Sequence, residues 1–422
     1  MPHRKRYVLA GTGGRGLSMF AQPLLKTFTE HCELVGFFDQ NLLRMQAGNE
    51  LLGSQLPCYT DFDKMLKEAN PDAVLIATQD STHAEYIIRT LSAGKRAISE
   101  KPVCTDAKQA REVLAAAQAA RKNGAQCWVT HNMRYGADIT TCKKVIESGV
   151  IGEVKAVNFH ENLDRKHGAD YFRRWHRLKK NSGGLLIQKA SHHFDALNWL
   201  VGSLPKTVVA QGGTYFYGKN GPFRHSRCST CPHAKQCDFY ADLWSNERNR
   251  KLYLETEKAD GYVRDACVFD LEIDIEDQMG VLYSYANNVQ VIYSLTAFAS
   301  YEGWQIQFEG TKGRLELKAV HDTQWAAGSV AVFGTEKLLG ESLTLFTQKK
   351  GIENIPLIRG EGEHGGADAQ LQADFFGRPW DAEPTFRMAP VEQAIQAILI
   401  GDAANISMAQ HSKPIDVQGL LK

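Results

Sequence analysis

From Tyr7 to Val129 the chain alternates short apolar runs with longer helix-compatible stretches, a rhythm that few folds accept. The runs are Tyr7–Ala10, Leu34–Asp39, Ala73–Thr78, Ala97–Glu100 and Gln126–Thr130. Ala73–Ala77 is apolar at every position rather than every second one, which suits a strand covered on both faces. That pattern predicts βαβ units around a parallel sheet. Helices are expected over Leu17–Thr29, around Asp63–Ala69, over His83–Ala93 ending at Gly94, and over Asp106–Asn123, with Thr105 as N-cap and Gly124 as stop.

Past Gly149 the period changes. Val154–Phe159, Thr207–Gly212, Met279–Tyr285, Val289–Leu295 and Trp304–Glu309 alternate as strands of an antiparallel sheet. Gly310-Thr311-Lys312-Gly313 reads as a hairpin turn joining Gln305–Glu309 to Arg314–Lys318. Helices are expected over Ala190–Val201 and Pro390–Met408. The class is therefore α/β: an N-terminal Rossmann doubly wound parallel sheet, then an α+β domain with a large, mostly antiparallel open sheet. At 422 residues the chain has room for two domains. They are placed at 1–133 and 134–422, the second carrying a Cys-rich insertion at about 218–270.

Lys and Arg number 49 against 48 Asp and Glu, so no bulk field attracts nucleic acid or an anionic membrane. No window approaches about 18 consecutive apolar residues, so no membrane helix is expected. The basic start His3–Arg6 runs into a strand and a glycine cluster, unlike an export signal. Cys32, Cys58, Cys104, Cys127 and Cys142 lie singly in structured segments, as buried free thiols do, and a reducing, cytoplasmic location is expected.

Gly11-Thr12-Gly13-Gly14-Arg15-Gly16 places the G-x-G-x-x-G string between a strand and a helix. There the glycines allow a tight turn, and the helix N-terminus offers N–H groups to a pyrophosphate. Asp39 ends the next strand, about 20 residues further on, where a carboxylate accepts from the adenosine ribose hydroxyls. Its charge favours NAD over NADP, although Arg44 nearby keeps NADP open.

With these features, Ala77–His83 and the run Glu100-Lys101-Pro102 resemble the Gfo/Idh/MocA oxidoreductase family. The likeness extends through Asn132–Tyr135 and the Gly310–Leu315 hairpin. It implies a sugar, inositol or polyol substrate, with 1–133 as the NAD(P)-binding domain and 134–422 as the domain for substrate and for assembly into a homodimer or homotetramer. It places Gly11, Gly13, Gly14, Arg15, Gly16, Asp39, Thr78, His83, Glu100 and Lys101 at the cofactor, Glu100 on the nicotinamide ribose and Lys101 at the reacting carbon. An ammonium partly desolvated beside the positive ring of oxidised nicotinamide is disfavoured, so Lys101 is expected to accept the substrate hydroxyl proton.

The second half of the site is expected at Gly183–Asp195, which looks like the family's glycine pair followed by D-x-G-x-H-x-x-D. The chain departs from it: Gln188 stands in place of Asp and Ala190 in place of Gly. Gln cannot ionise, so proton traffic falls to Lys101 and His192, with Lys189 or His193 as substitutes and Asp195 as support for His192. Arg134, Gln188, Lys189 and His192 are assigned to substrate. Arg174, Trp175 and Arg177 are further candidates, and the Gly-rich stretch His364–Asp368 can reach the site or form a plain turn.

Cys228, Cys231 and Cys237 form a knuckle, and Cys267 follows. Four thiolates would complete a tetrahedral structural zinc, with His225 and His233 as alternative ligands and disulfides as the oxidising alternative. The leading expectation is an NAD(P)-dependent sugar or polyol dehydrogenase. A redox-assisted glycoside hydrolase or lyase that retains its cofactor is the alternative that Gln188 raises, and a non-catalytic sugar and dinucleotide sensor is the third.

Overall fold

The computed structural model describes residues 4–321, 338–360, 363–379 and 382–422. The chain forms two compact units: Met1–Asn132 with Leu243–Arg264 and Asp368–Ile395, and Met133–Asp242 with Asp265–Ala367 and Gln396–Lys422. The first unit is thus not a continuous N-terminal stretch, because two later segments fold onto it.

Its seven-stranded sheet runs, edge to edge, Ala389–Pro390, Cys127–Val129, Arg96–Ser99, Ala73–Ile76, Lys5–Ala10, Cys32–Phe38, Cys58–Tyr59. All neighbours pair in parallel except the edge strand Ala389–Pro390. The order reverses between Lys5–Ala10 and Ala73–Ile76, so Gly11 and Ala77 flank the switch point, where doubly wound sheets bind ligands. Ala73–Ile76 is buried at every residue, as strands covered on both faces must be.

Two local readings change. The last long helix, Ala107–Ala120, is capped by Asp106, whose side chain accepts from the Gln109 N–H, and not by Thr105. Thr105 instead gives its N–H and hydroxyl to the Gln109 side chain. The second change is an additional helix, Leu42–Leu52, and a short strand, Cys58–Tyr59, preceding the helix Phe62–Ala69. The extra helix buries Arg44, Met45 and Gly48. A face made of arginine and glycine leaves no apolar period to read.

The second unit holds a nine-stranded sheet in the order Gly351–Asn354, Leu338–Thr347, Gly313–His321, Glu302–Gly310, Val154–Asp164, Gln290–Ala299, Gln278–Tyr285, Pro205–Gly213, Ile415–Asp416. Val154–Asp164 and Gln290–Ala299 run parallel, and the other pairs are antiparallel. The Gly310–Gly313 turn joins its strands with Glu309 opposite Arg314. One face packs on the helix Ala190–Val201, where the Phe194 ring lies 4.9 Å from Tyr293 and 5.8 Å from Tyr283. The side chains of Leu282 and Ile292 lie exposed, at the opposite parity to the buried Tyr283 and Tyr293. No helix among the described residues is long and apolar enough to cross a membrane.

Candidate functional site

Gly11 follows the first strand with φ 93°, and a Cβ there would stand 2.4 Å from the Ala77 carbonyl oxygen. A Cβ at Gly16 would fall 2.2 Å from the Gly11 carbonyl oxygen. Both positions therefore require glycine for backbone to approach backbone. Gly13 and Gly14 are different: what a Cβ would meet there is the Tyr253 hydroxyl, at 3.6 and 3.3 Å. They leave a cradle at the start of the helical run Gly14–Lys26, which contains a π turn over Leu17–Ala21. A pyrophosphate fits such a cradle, being small, anionic and served by main-chain N–H groups.

Asp39 closes the neighbouring strand. Its Oδ2 accepts from the Thr12 N–H and hydroxyl, both at 2.9 Å, and its Oδ1 accepts from the Asn41 N–H at 2.9 Å. The carboxylate therefore fixes the glycine loop and stands where an adenosine ribose is recognised. Arg44 lies 3.7 Å from Asp39 and 2.6 Å from Asp260. Two carboxylates thus compensate the guanidinium.

Glu100 and Lys101 follow the strand Arg96–Ser99. The Glu100 N–H donates to the Ile76 carbonyl at 2.7 Å, and Glu100 Oε2 accepts from the Lys101 N–H at 3.3 Å. The Lys101–Pro102 peptide is cis. His83 is buried, its Nδ1 2.7 Å from the Pro102 carbonyl and its Nε2 3.1 Å from the Thr78 carbonyl. Burial lowers its pKa against the pull of those carbonyls. His83 thus ties the Thr78 loop to the Lys101 loop, and Thr78 receives the Thr82 hydroxyl at 2.8 Å.

Arg15 bridges Glu100 Oε1 at 2.8 Å and Asp368 Oδ2 at 2.9 Å, while Asn132 donates to Asp368 Oδ1 at 2.8 Å. The Gly-rich stretch thus delivers Asp368 to this unit, at the start of the helix Ala367–Phe376. The His364 side chain lies outside the described residues.

In the second unit, Gly183 (φ 70°) ends the turn Lys179–Ser182 and Gly184 (φ 80°) opens Leu185–Gln188. Gln188 is buried, and His192 is half-buried in the first turn of Ala190–Val201. Lys189 Nζ meets Glu161 Oε1 at 3.2 Å. His193 is buried, with Nδ1 2.8 Å from the Tyr293 hydroxyl and Nε2 3.6 Å from Glu161 Oε2.

Arg134, expected to contact substrate, is 1% exposed and forks onto Asp195, with both N···O distances 2.7 Å. Asp195, expected to support His192, gives both carboxylate oxygens to that fork. The pair secures the helix that carries His192, and each charge is answered by the other in a buried setting. Arg174 pairs with Asp170 at 3.1 Å, Arg177 reaches Asp270 and Glu272 at 2.9 and 3.1 Å, and the Trp175 ring stacks on His176 at 3.7 Å.

The zinc expectation is not supported: among the described residues no group of three or more His, Cys, Asp or Glu is disposed to hold a metal ion. The insertion has a core of its own, which removes the reason a metal seemed needed. Phe239 packs on Phe269 at 5.4 Å and on Tyr217 at 5.7 Å, and His233 stacks on Phe223 at 4.6 Å. Asp265 accepts from the Ser229 N–H at 2.9 Å and pairs with Arg227 at 2.7 Å. Cys228, Cys231, Cys237 and Cys267 are free thiols, and burial raises the Cys237 pKa, with its sister thiols adding to the rise.

Sequence reasoning missed Glu161, which shares a strand face with Val157, Phe159 and Leu163. A lone acid on an apolar face was the available signal. Burial pushes its carboxyl up to about 7, and Lys189 opposes the rise. Burial alone would lower Lys189, but Glu161, Tyr171 and Glu302 outweigh it and raise its pKa. Between the ordinary carboxyl value of 4.5 and about 7, folded Glu161 holds a proton that the unfolded chain has released. Its contribution to stability is complete below that window and falls as pH rises through it. Relative to Glu161→Gln, the wild type should lose on the order of 3 kcal/mol between pH 4.5 and 7. Denaturant unfolding across that range measures this, and parallel profiles for the two proteins would refute the assignment.

Residues 5–131 match a family described as an oxidoreductase family with an NAD-binding Rossmann fold, and residues 143–417 match its C-terminal alpha/beta domain. The chain is 32% identical over 440 residues to YteT of Bacillus subtilis (strain 168), covering 99% of each. It is 28% identical over 224 residues to the inositol 2-dehydrogenase of Rhizobium meliloti (strain 1021), spanning 48% of this chain and 65% of that one. The WlbA dehydrogenase from Bordetella pertussis, solved in complex with NADH and UDP-GlcNAcA, is similar with a TM-score of 0.65 at 18% identity, covering 98% and 99% of the two chains. At that identity the likeness is one of fold.

Proposed function

The chain belongs to the Gfo/Idh/MocA oxidoreductase family and has its NAD-binding Rossmann domain, and on that premise we propose that it moves hydride between nicotinamide and a hydroxyl-bearing carbon of a sugar, inositol or related polyol. The observation that carries the reading is one sheet edge. The glycine loop, Asp39, Thr78 and Lys101 all follow the carboxyl ends of mutually parallel strands. The names of the inositol and WlbA dehydrogenases support the substrate class.

In this proposal Asp39 holds the adenosine ribose and Glu100, oriented by Arg15, holds the nicotinamide ribose. The bound nicotinamide supplies the hydride acceptor or donor. Lys101 accepts the substrate hydroxyl proton, and His192, Gln188 and Lys189 bind substrate, His192 as the second proton carrier. A reducing, cytoplasmic setting is supported by the free cysteines. Assembly into a dimer or tetramer is supported by the apolar side chains of Leu282 and Ile292 on the outer sheet face.

Incubation with NAD and a panel of sugars and inositols should raise absorbance at the reduced-nicotinamide band. A panel-wide absence of reduction, with binding intact, would refute net dehydrogenation. Gln188, which cannot take a proton where the family's pattern has Asp, favours a second reading: cleavage through transient oxidation on a retained cofactor. Cleaved sugar without net reduced nicotinamide would establish it.

Asp39→Asn should weaken NAD binding by about 10- to 100-fold, the worth of hydrogen bonds to a charged group, and narrow the preference over NADP. Titration calorimetry with both dinucleotides decides this, with thermal unfolding as control because Asp39 also holds Thr12. An unchanged NAD affinity would remove Asp39 from the ribose.

A further inference from the structure

Residues 243–264 fold with the first unit, far along the sequence from the glycine loop they cover. Leu252 is fully buried there, and its carbonyl accepts from Arg44 Nε at 3.1 Å. The Thr256 carbonyl accepts from Asn41 Nδ2 at 3.0 Å, and Lys251 pairs with Glu50 at 2.6 Å. This anchored segment brings Tyr253 to the phosphate cradle, where its hydroxyl accepts the Gly14 N–H at 2.8 Å.

Among the described residues, that hydroxyl makes no hydrogen bond as a donor, so its proton is left for an outside acceptor. The guanidinium carbons of Arg44 and Arg264 lie 5.8 and 5.6 Å from the Tyr253 ring centroid. Arg248 is exposed and donates to the Gly14 carbonyl at 3.0 Å. It has no ion-pair partner among the described residues, whereas Arg250 and Lys251 beside it are both paired with glutamates. An undirected hydroxyl proton and an uncompensated guanidinium, both at the helix start, suit a dianionic group lying there.

We propose that residues 243–264 are a latch on the dinucleotide, with Tyr253 and Arg248 holding its pyrophosphate and slowing its release. The proposal rests on the dinucleotide reading above and adds to it contacts that the Rossmann domain's own N-terminal stretch does not supply. Tyr253 relays the Gly14 N–H: it accepts from the helix terminus and donates onward to a phosphate oxygen. Arg248 contributes charge, which a backbone cradle has only in part.

The test is NADH release by stopped-flow fluorescence from the full-length wild type, Tyr253→Phe, Arg248→Gln and the double variant. Tyr253→Phe keeps the ring beside Arg44 and Arg264 and Arg248 is exposed, so neither change opens the core. Each single variant should release NADH roughly tenfold faster and the double variant faster still, as expected for lost hydrogen bonds to a charged group. If the wild type binds NADH and the variants release it at the same rate or more slowly, the segment is a plain cover or a competitor for Gly14, and the latch is overturned while the enzyme reading stands. If the wild type binds no nicotinamide dinucleotide, both fall.

Discussion

With Lys101 replaced by methionine, kcat is expected to fall by roughly 10²- to 10⁴-fold, the usual contribution of a positioned acid or base, while NAD binding stays near the wild-type value. The backbone that carries the side chain is held on both sides. Its own N–H bonds Glu100, the preceding residue is tied to Ile76, and the following proline carbonyl is held by His83. Methionine keeps the length of the stem and removes the amine, so the loop loses chemistry rather than shape. Partial rescue by a small exogenous amine would separate proton transfer from a structural role. A Lys101→Met enzyme of wild-type rate, beside a slow His192→Gln, would move the proton acceptor to the second unit.

Arg134→Met is expected to destabilise the second unit by about 3–5 kcal/mol, because it removes the guanidinium that compensates a buried Asp195 carboxylate. Both partners are 1% exposed. Arg134→Met with Asp195→Leu should recover most of that loss, since an apolar pair of similar volume needs no compensation. Denaturant unfolding of the three variants provides the comparison. A fully stable Arg134→Met with a raised KM would restore Arg134 to the substrate and refute the structural role. The single variant should also lower activity through His192, whose helix the pair secures, and the double variant should return part of it.

The acidic groups of the two units are held differently. In the first, Arg15 joins Glu100 and Asp368 while Arg44 joins Asp39 and Asp260. In the second, Glu161 carries a carboxyl raised by burial beside Lys189. Raising the pH above 7 therefore places a full carboxylate under the residues assigned to substrate. That change favours a charged Lys189 and alters the field at the start of the His192 helix.

Much of the fold was legible because it rests on local rules. The residues of Ala73–Ile76 showed a both-faces-buried strand, and the turn at Gly310–Gly313 showed its hairpin. The helix Leu42–Leu52 escaped because Gly48 and Arg44 stand on its buried face, where Gly48 admits the Leu17 side chain. The N-cap passed from Thr105 to Asp106 because adjacent polar residues compete for one N–H, and the backbone decides between them. The zinc reading failed for a related reason: thiol spacing was visible, but the aromatic core of the insertion was not.

By itself the sequence determined the central strands of both sheets, several helices, the glycine loop and the carboxylate after the second strand, since these follow from period, turn chemistry and spacing along a few tens of residues. Tertiary structure alone decided which charges meet. Arg15 finds Asp368 from 353 residues away and Gly14 finds Tyr253 from 239. An ion pair closed across such a loop leaves no periodic trace in the chain, because its partners are chosen by where folded elements stop and by which of them can be buried together.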